Sequence, residues 1–194
     1  MGSSDLAEFK TWPEKERLAF LINLYNAATL KLIVENYPVK SIRSIGWIPG
    51  SAWKKETVRL FGRKISLDDV EHGFIRKDYG EPRVHFALVC AARSCPPLRA
   101  EAYVGARLDA QLDEQGRVFL GQKEKNRVDA SAHTLFLSPI FKWFAGDFEA
   151  SAAGSVEKFV APFLPEPERR ALGAGGFKTS YTDYDWSLND AAKP

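Results

Sequence analysis

The chain has 194 residues, of which 45% are hydrophobic and 27% are charged, and this composition predicts one compact globular domain over residues 1–194. Its 27 basic and 25 acidic residues leave a formal net charge of +2, without the clustered basic residues that nucleic-acid binding requires, so we expect no nucleic-acid partner. The apolar stretches are interrupted before they reach the roughly 18 residues of a membrane span, so we also expect no span.

The first residues leave the cellular compartment open. Met1-Gly2-Ser3-Ser4 lacks the basic region and the apolar core of a signal peptide. The protein is therefore either intracellular or exported to the periplasm or the medium after removal of a signal peptide.

The first long element is a helix. Trp12-Pro13-Glu14-Lys15-Glu16 has the proline and the acidic residues typical of a helix start, and the next breaker is Tyr37-Pro38, which predicts a helix of about 24 residues. Between Leu18 and Val34 it is apolar on nearly every face, so we expect it to be buried. Asn23 and Asn26 lie on one face of this helix, where a buried amide needs hydrogen-bond partners. They are either structural anchors of neighbouring backbone or site residues.

A hairpin and a second helix follow. Residues 57–65 alternate around a turn at Gly62-Arg63, which predicts two short antiparallel strands. Ser66-Leu67-Asp68-Asp69 then caps a helix that runs to Arg76 and carries Glu71 and His72 near its middle. His72 is either a packed or surface residue or a general base.

The segment from Arg83 to Arg99 concentrates the residues with chemical potential. Residues 84–92 form a continuous apolar run that we interpret as a buried strand starting near His85, and Ser94-Cys95-Pro96-Pro97 ends it. Cys95 would then lie in a loop beside the buried helix, at the floor of a cleft, where Arg93 and Arg99 favour its thiolate. Packing as a small apolar residue is the alternative for Cys95, and it is the expectation for Cys90 inside the strand.

The two cysteines also admit a disulfide. Cys90 and Cys95 could close a small loop in an oxidising compartment, provided that Ala91-Ala92-Arg93-Ser94 folds back tightly. Such a bond would remove the nucleophile.

The second half of the chain adds helices and short strands. The pattern predicts an amphipathic helix over 101–119, followed by paired strands at 126–129 and 134–137 with a solvated His133 in the turn between them. An aromatic helix should start at Ser138-Pro139, and two short helices follow it. The chain should end with a strand over 177–181 and a tail from Tyr184 that docks on the domain. We therefore expect an α+β fold in which a central buried helix packs on a small antiparallel sheet with peripheral helices.

Six separate motifs resemble the DUF547 family, in the same order. They are Phe20-Leu21-Ile22-Asn23-Leu24-Tyr25-Asn26-Ala27, Val70-Glu71-His72-Gly73-Phe74-Ile75-Arg76, His85-Phe86-Ala87-Leu88-Val89-Cys90, Ser94-Cys95-Pro96-Pro97-Leu98, Phe141-Lys142-Trp143 with Asp147-Phe148, and Tyr184-Asp185-Trp186-Ser187-Leu188-Asn189. The resemblance covers almost the whole chain. It implies a relative of exported bacterial proteins and of longer plant proteins with coiled coils, and the family's function is unknown.

The resemblance also implies a distant kinship with papain-like and transglutaminase-like folds. Those enzymes set a buried helix against an antiparallel sheet, with the nucleophile at the helix start and a histidine on a strand. Here no cysteine lies near residues 12–34. Either Cys95 supplies the thiol from another loop, or the scaffold only binds.

Three functions follow from these residues. As an enzyme, the protein would use Cys95 as nucleophile, His85 or His72 as base at roughly 3 to 4 Å from the sulfur, and Glu71 or Asn26 to orient the imidazole, for amide hydrolysis or acyl transfer on a peptide-like substrate.

As a binding module, the same region would hold a small anionic or peptidic ligand with Arg76, Arg93, Arg99 and Asn23. An interaction domain without pocket chemistry is the third alternative, and it predicts that the cysteine and the two histidines lie apart. The three histidines occupy different elements without a metal-binding motif, so we expect no metal and no cofactor.

Overall fold

A computed structural model of the chain describes residues 5–48, 50–151 and 153–191. The chain divides into two compact units, unit 1 within Met1–Tyr79, Ala87–Asp109 and Asp185–Pro194, and unit 2 within Gly80–Phe86 and Ala110–Tyr184. Met1-Gly2-Ser3-Ser4, on which the signal-peptide argument rests, lies outside the described residues. The expectation of one domain stays a prediction.

Helices dominate both units, and the α+β prediction is confirmed. The helices in chain order are α1 (Leu6–Thr11), α2 (Glu14–Glu35), α3 (Ser51–Lys54), a π-helix (Asp69–Arg76), α4 (Lys77–Tyr79), α5 (Val84–Ala87), α6 (Leu108–Leu120), α7 (Ile140–Trp143), α8 (Ala145–Glu149), α9 (Val156–Val160) and α10 (Glu166–Gly173). Short 3₁₀ turns lie at Ile42–Ser44, Gly105–Arg107 and Ala161–Phe163. The strands are β1 (Val58–Leu60), β2 (Arg63–Ile65), β3 (Arg127–Asp129), β4 (Thr134–Leu137) and β5 (Lys178–Tyr181).

Helix α2 is the buried helix that the sequence predicts. It begins after Pro13, carries Glu14 and Glu16 in its first turn, and ends after 22 residues. By length and composition it is apolar enough to cross a membrane, and 56% of its most apolar stretch is buried inside the protein. The core helix of a soluble protein and a signal sequence near the N-terminus share these properties, so the expected absence of a span stays a prediction.

In unit 1, β1 and β2 form the predicted antiparallel hairpin, with Val58 opposite Ile65. The turn consists of Phe61 and Gly62, one residue earlier than predicted, and both have positive φ, 49° and 73°. A two-residue turn with left-handed backbone matches the twist of the paired strands, which explains the glycine.

In unit 2, β3 and β4 pair antiparallel as predicted, whereas β5 runs parallel to β4 with Thr134 opposite Lys178. The sheet is therefore mixed rather than antiparallel throughout. Helices α7 to α10 lie between β4 and β5 in the chain, and a connection of that length permits parallel pairing. The core of this unit is aromatic, with Phe86, Phe119, Phe141 and Phe148 fully buried.

Candidate functional site

The apolar run over residues 84–92 is buried as predicted, but the prediction that it forms a strand is wrong. It begins with helix α5, which places His85 on a helix rather than at a strand start, and its single described bridge joins Ala92 to Leu188. A short apolar run gives the same pattern for a buried strand and for a buried helical segment, so the sequence signal specified burial alone.

Asn26 fixes the segment that leads into the cysteines. Its Nδ2 donates to the carbonyl of Ala87 at 2.9 Å, and its Oδ1 accepts from the N–H of Val89 at 3.0 Å. Asn23, one turn earlier, makes the same two-bond contact with the backbone of Tyr103, at 2.8 and 2.9 Å. Both amides therefore anchor neighbouring backbone, which is one of the two interpretations that the sequence left open. An Asn23 or Asn26 contact to the backbone of the Cys95 loop or of the Glu71-His72 helix was also expected, and these hydrogen bonds go to other segments.

The C-terminal tail of unit 1 holds the loop between the cysteines. The N–H of Asn189 donates to the carbonyl of Ala91 at 2.8 Å, and the N–H of Arg93 donates to the carbonyl of Ser187 at 2.9 Å. Within the loop, Ala91 has a φ of 57° and the N–H of Cys95 donates to the carbonyl of Ala92 at 3.1 Å. The predicted docking of the tail is confirmed, and it fixes a tight turn that brings the two cysteines together.

The two sulfurs are in direct contact. Cys90 Sγ lies 2.7 Å from Cys95 Sγ, and the backbone N–H of Cys90 donates to Cys95 Sγ at 2.8 Å. Both residues are thiols, without a disulfide bond. Cys95 is buried, with 6% of its surface exposed, while Cys90 is half-buried. The expected order of exposure is therefore reversed, because the turn directs Cys90 outward and Cys95 inward.

A buried phenol and a buried carboxylate complete what we call the thiol cluster: Tyr25, Glu71, Cys90 and Cys95. Tyr25 is 2% exposed and Glu71 is 8% exposed. Burial raises the pKa of Tyr25 well above its usual value, and the negative charge of Glu71, a hydrogen bond to Glu71 and the two cysteines raise it further. The phenol therefore stays protonated at neutral pH and donates to the Glu71 carboxylate. Sequence reasoning missed Tyr25, although it lies in the first of the six motifs.

The π-helix separates Glu71 from His72. Glu71 points inward to Tyr25, whereas His72 is exposed and its Nδ1 lies 3.0 Å from a guanidinium nitrogen of Arg76 on the same helix. The helix start is fixed by Ser66 and Asp69, whose side chains and N–H groups bond reciprocally as the predicted cap requires. A π-helical turn is rare and recurs at functional sites, and here it carries the carboxylate of the thiol cluster.

His85 belongs to unit 2, where it forms a pair with Asp147. Its Nε2 lies 2.7 Å from Asp147 Oδ2, and its ring stacks on Phe144 at a centroid distance of 4.0 Å. A carboxylate on one ring nitrogen fixes the tautomer and orientation of an imidazole, as in catalytic dyads. Asp147 was not among the predicted site residues, although the fifth motif contains it. The pairing of His85 with Cys95 of unit 1 stays a prediction.

Two of the three arginines predicted to bind a ligand contact neighbouring side chains. Arg99 donates two hydrogen bonds to Glu101, at 2.7 and 3.1 Å, and Arg76 contacts His72. Arg93 has an exposed side chain. The Glu101 carboxylate offsets the charge of Arg99. Ligand binding by these arginines stays a prediction.

Within residues 5–48, 50–151 and 153–191, the side chains form no group of three or more histidines, cysteines, aspartates or glutamates suited to a metal ion. The thiol cluster offers two sulfur nucleophiles with a carboxylate and a phenol nearby.

One comparison with known proteins found a relation. The model of a family described as a protein of unknown function, DUF547, matches residues 9–120, which include the four motifs from Phe20 to Leu98. No curated protein and no solved structure matches the chain.

Proposed function

We propose that this chain, which belongs to the DUF547 family, is a thiol-dependent amide hydrolase or acyl transferase with Cys95 as the nucleophile. The observation that carries the proposal is the hydrogen bond from the Cys90 N–H to Cys95 Sγ at 2.8 Å. An N–H donor stabilises a thiolate more than a thiol, and the thiolate is the nucleophilic form. Fixed backbone holds this donor, so the stabilisation does not depend on a mobile side chain.

The proposed reaction has two steps. The base takes the proton of Cys95, the thiolate attacks the carbonyl carbon of a peptide-like substrate, the carbon–nitrogen bond breaks, and the base returns the proton to the departing amine. Water or a second amine then attacks the thioester and restores the thiol. Of the two imidazoles predicted as the base, His72 belongs to unit 1 and His85 to unit 2, where Asp147 orients it. Glu71 supports the site through Tyr25.

An activated acyl ester tests this proposal without knowledge of the substrate. Reduced protein is mixed with p-nitrophenyl acetate, and the acyl adduct is located by peptide mass spectrometry. We expect a hydroxylamine-sensitive acetyl group on Cys95, absent in Cys95→Ser, and slower formation in whichever of His85→Ala and His72→Ala removes the base. Equal thermal unfolding of the variants is the control for folding. An adduct that forms no faster than on a model thiol, or only on Cys90, contradicts the proposal.

A second candidate function, the binding of a small anionic ligand, is favoured by a cavity in unit 1. The cavity has a volume of about 330 Å³, within the range of small-molecule sites. It is lined by Leu6, Phe9, Lys10, Glu14, Arg17, Phe74, Asp78 and Tyr79. Among the described residues, Arg17 Nε is buried without a hydrogen-bond partner. An aromatic carboxylate would pair with Arg17 and pack on the rings.

This binding proposal differs from the predicted one, which relied on Arg76, Arg93 and Arg99. Benzoate is the probe, and chemical shifts of the cavity residues are the measurement. We expect saturable shifts that weaken in Arg17→Gln and persist in Arg63→Gln, an exposed arginine on β2. Shifts that are absent, or equal in both variants, contradict it.

A further inference from the structure

We propose that Cys90 and Cys95 form a redox-active pair, which a hydroperoxide oxidises to a disulfide and which thiols reduce again. The pair is a site of reversible modification in its own right. Its consequence for catalysis, the withdrawal of the Cys95 nucleophile, rests on the proposed acyl chemistry.

The geometry of the sulfurs carries this inference. Their separation of 2.7 Å compares with about 2.05 Å in a disulfide, so the bond forms with sulfur displacements of well under 1 Å. Here the contact is between two thiols, one of which also accepts a backbone N–H.

The surrounding backbone holds the two sulfurs close together. Asn26 fixes the segment before Cys90 through two hydrogen bonds, and the tail fixes Ala91 and Arg93 through two more. The left-handed backbone of Ala91, with φ of 57°, makes the turn that reverses the chain between the cysteines. A disulfide that closes so short a loop requires a tight chain reversal, and the reduced protein already has this turn.

The hydrogen bond at Cys95 assigns a role to each sulfur. The Cys95 thiolate attacks the outer oxygen of the hydroperoxide, the O–O bond breaks, and an alcohol leaves with a sulfenic acid on Cys95. The thiol of half-buried Cys90, 2.7 Å away, then attacks that sulfur, loses its proton and releases water. In sum, two thiols and one hydroperoxide give one disulfide, one alcohol and one water, and two electrons pass from sulfur to oxygen.

Intact-mass titration tests the pair directly. Reduced protein is treated with one equivalent of hydrogen peroxide, and the mass is measured before and after dithiothreitol. We expect a loss of two hydrogens, mapped to a Cys90–Cys95 bond and fully reversed by the reductant. Cys90→Ser and Cys95→Ser should each lose this mass change. A wild-type protein that keeps both thiols, or gains only oxygen without the loss of two hydrogens, overturns the proposal.

The same samples separate this proposal from the acyl chemistry. Acetylation of Cys95 by p-nitrophenyl acetate should disappear on oxidation and return with dithiothreitol. If the disulfide forms reversibly but the reduced protein is never acetylated on Cys95, the redox pair stands and the proposed acyl function fails. If acetylation occurs but no disulfide forms, the acyl function stands and the redox pair fails.

Discussion

Asn26→Leu should be one of the most destabilising single substitutions in unit 1, because it breaks two hydrogen bonds at once. The side chain is 6% exposed and satisfies the carbonyl of Ala87 and the N–H of Val89. Leucine fills a similar volume but leaves both backbone groups buried without their partner. Each such group costs about 1–3 kcal/mol, so the expected loss in the free energy of unfolding is about 2–6 kcal/mol. The segment that leads to Cys90 should also lose its anchor, and the reactivity of both thiols should change.

Equilibrium urea unfolding, followed by circular dichroism, measures this loss. Thr29→Val on the same helix is the matched control. Thr29 has no exposed surface, and its hydroxyl lacks a hydrogen-bond partner among the described residues. Its replacement by an isosteric apolar side chain should leave stability unchanged or raise it by up to about 1 kcal/mol. If Asn26→Leu and Thr29→Val unfold at the same urea concentration, the buried amide is not the anchor that we describe.

Two further predictions concern the scaffold. Gly116→Ala should destabilise the protein by about 1–3 kcal/mol, since the added Cβ would lie 2.8 Å from the ring of Phe163. At Gly73 an added Cβ would meet no neighbouring group within 4 Å, so Gly73→Ala should be neutral or stabilising. Thermal unfolding of both variants measures the difference. The hydroxyl and N–H of Ser66 lower the pKa of Asp69, so the Asp69 carboxylate adds stability above the ordinary aspartate pKa of about 3.9 and loses it as pH falls through its lower folded value. Ser66→Ala should therefore raise the Asp69 pKa in an NMR titration and remove part of the acid sensitivity below pH 4, and an unchanged titration would contradict this role of the cap.

The sequence predicted those parts of the fold that local signals determine. Helix α2 could be predicted because Pro13 and its first-turn acids mark the start and Tyr37-Pro38 the end. The hairpin was predicted because a glycine interrupts an alternating run. Residues 84–92 could not be assigned, because burial of a short apolar run is compatible with helix and strand alike. The parallel pairing of β5 is a long-range contact for which the strand itself carries no signal.

In the candidate site, too, the contacts between side chains could not be predicted from local sequence signals. Cys95 and Glu71 were proposed from residue type, but the contact between Cys95 and Cys90 depends on the left-handed turn at Ala91, a residue that rarely adopts this backbone. Tyr25 was missed because an aromatic residue in an apolar helix usually packs in the core. Its place in the thiol cluster depends on the Glu71 carboxylate, which lies on a different helix. Exposure of the two cysteines was assigned in the wrong order, since it followed from the predicted strand.

The rate of alkylation of Cys95 as a function of pH tests the central claim most directly. Fully reduced protein is treated with iodoacetamide between pH 5.5 and 9.5, and each cysteine is quantified by peptide mass spectrometry. An unperturbed thiol has a pKa of about 8.5, so a model thiol reacts slowly at pH 6.5. We predict that Cys95 reacts at pH 6.5 much faster than a model thiol of the same concentration, despite its burial, because the Cys90 N–H stabilises its thiolate. A Cys95 that is inert in the folded protein, or whose rate follows that of the model thiol across the whole pH range, would contradict the account.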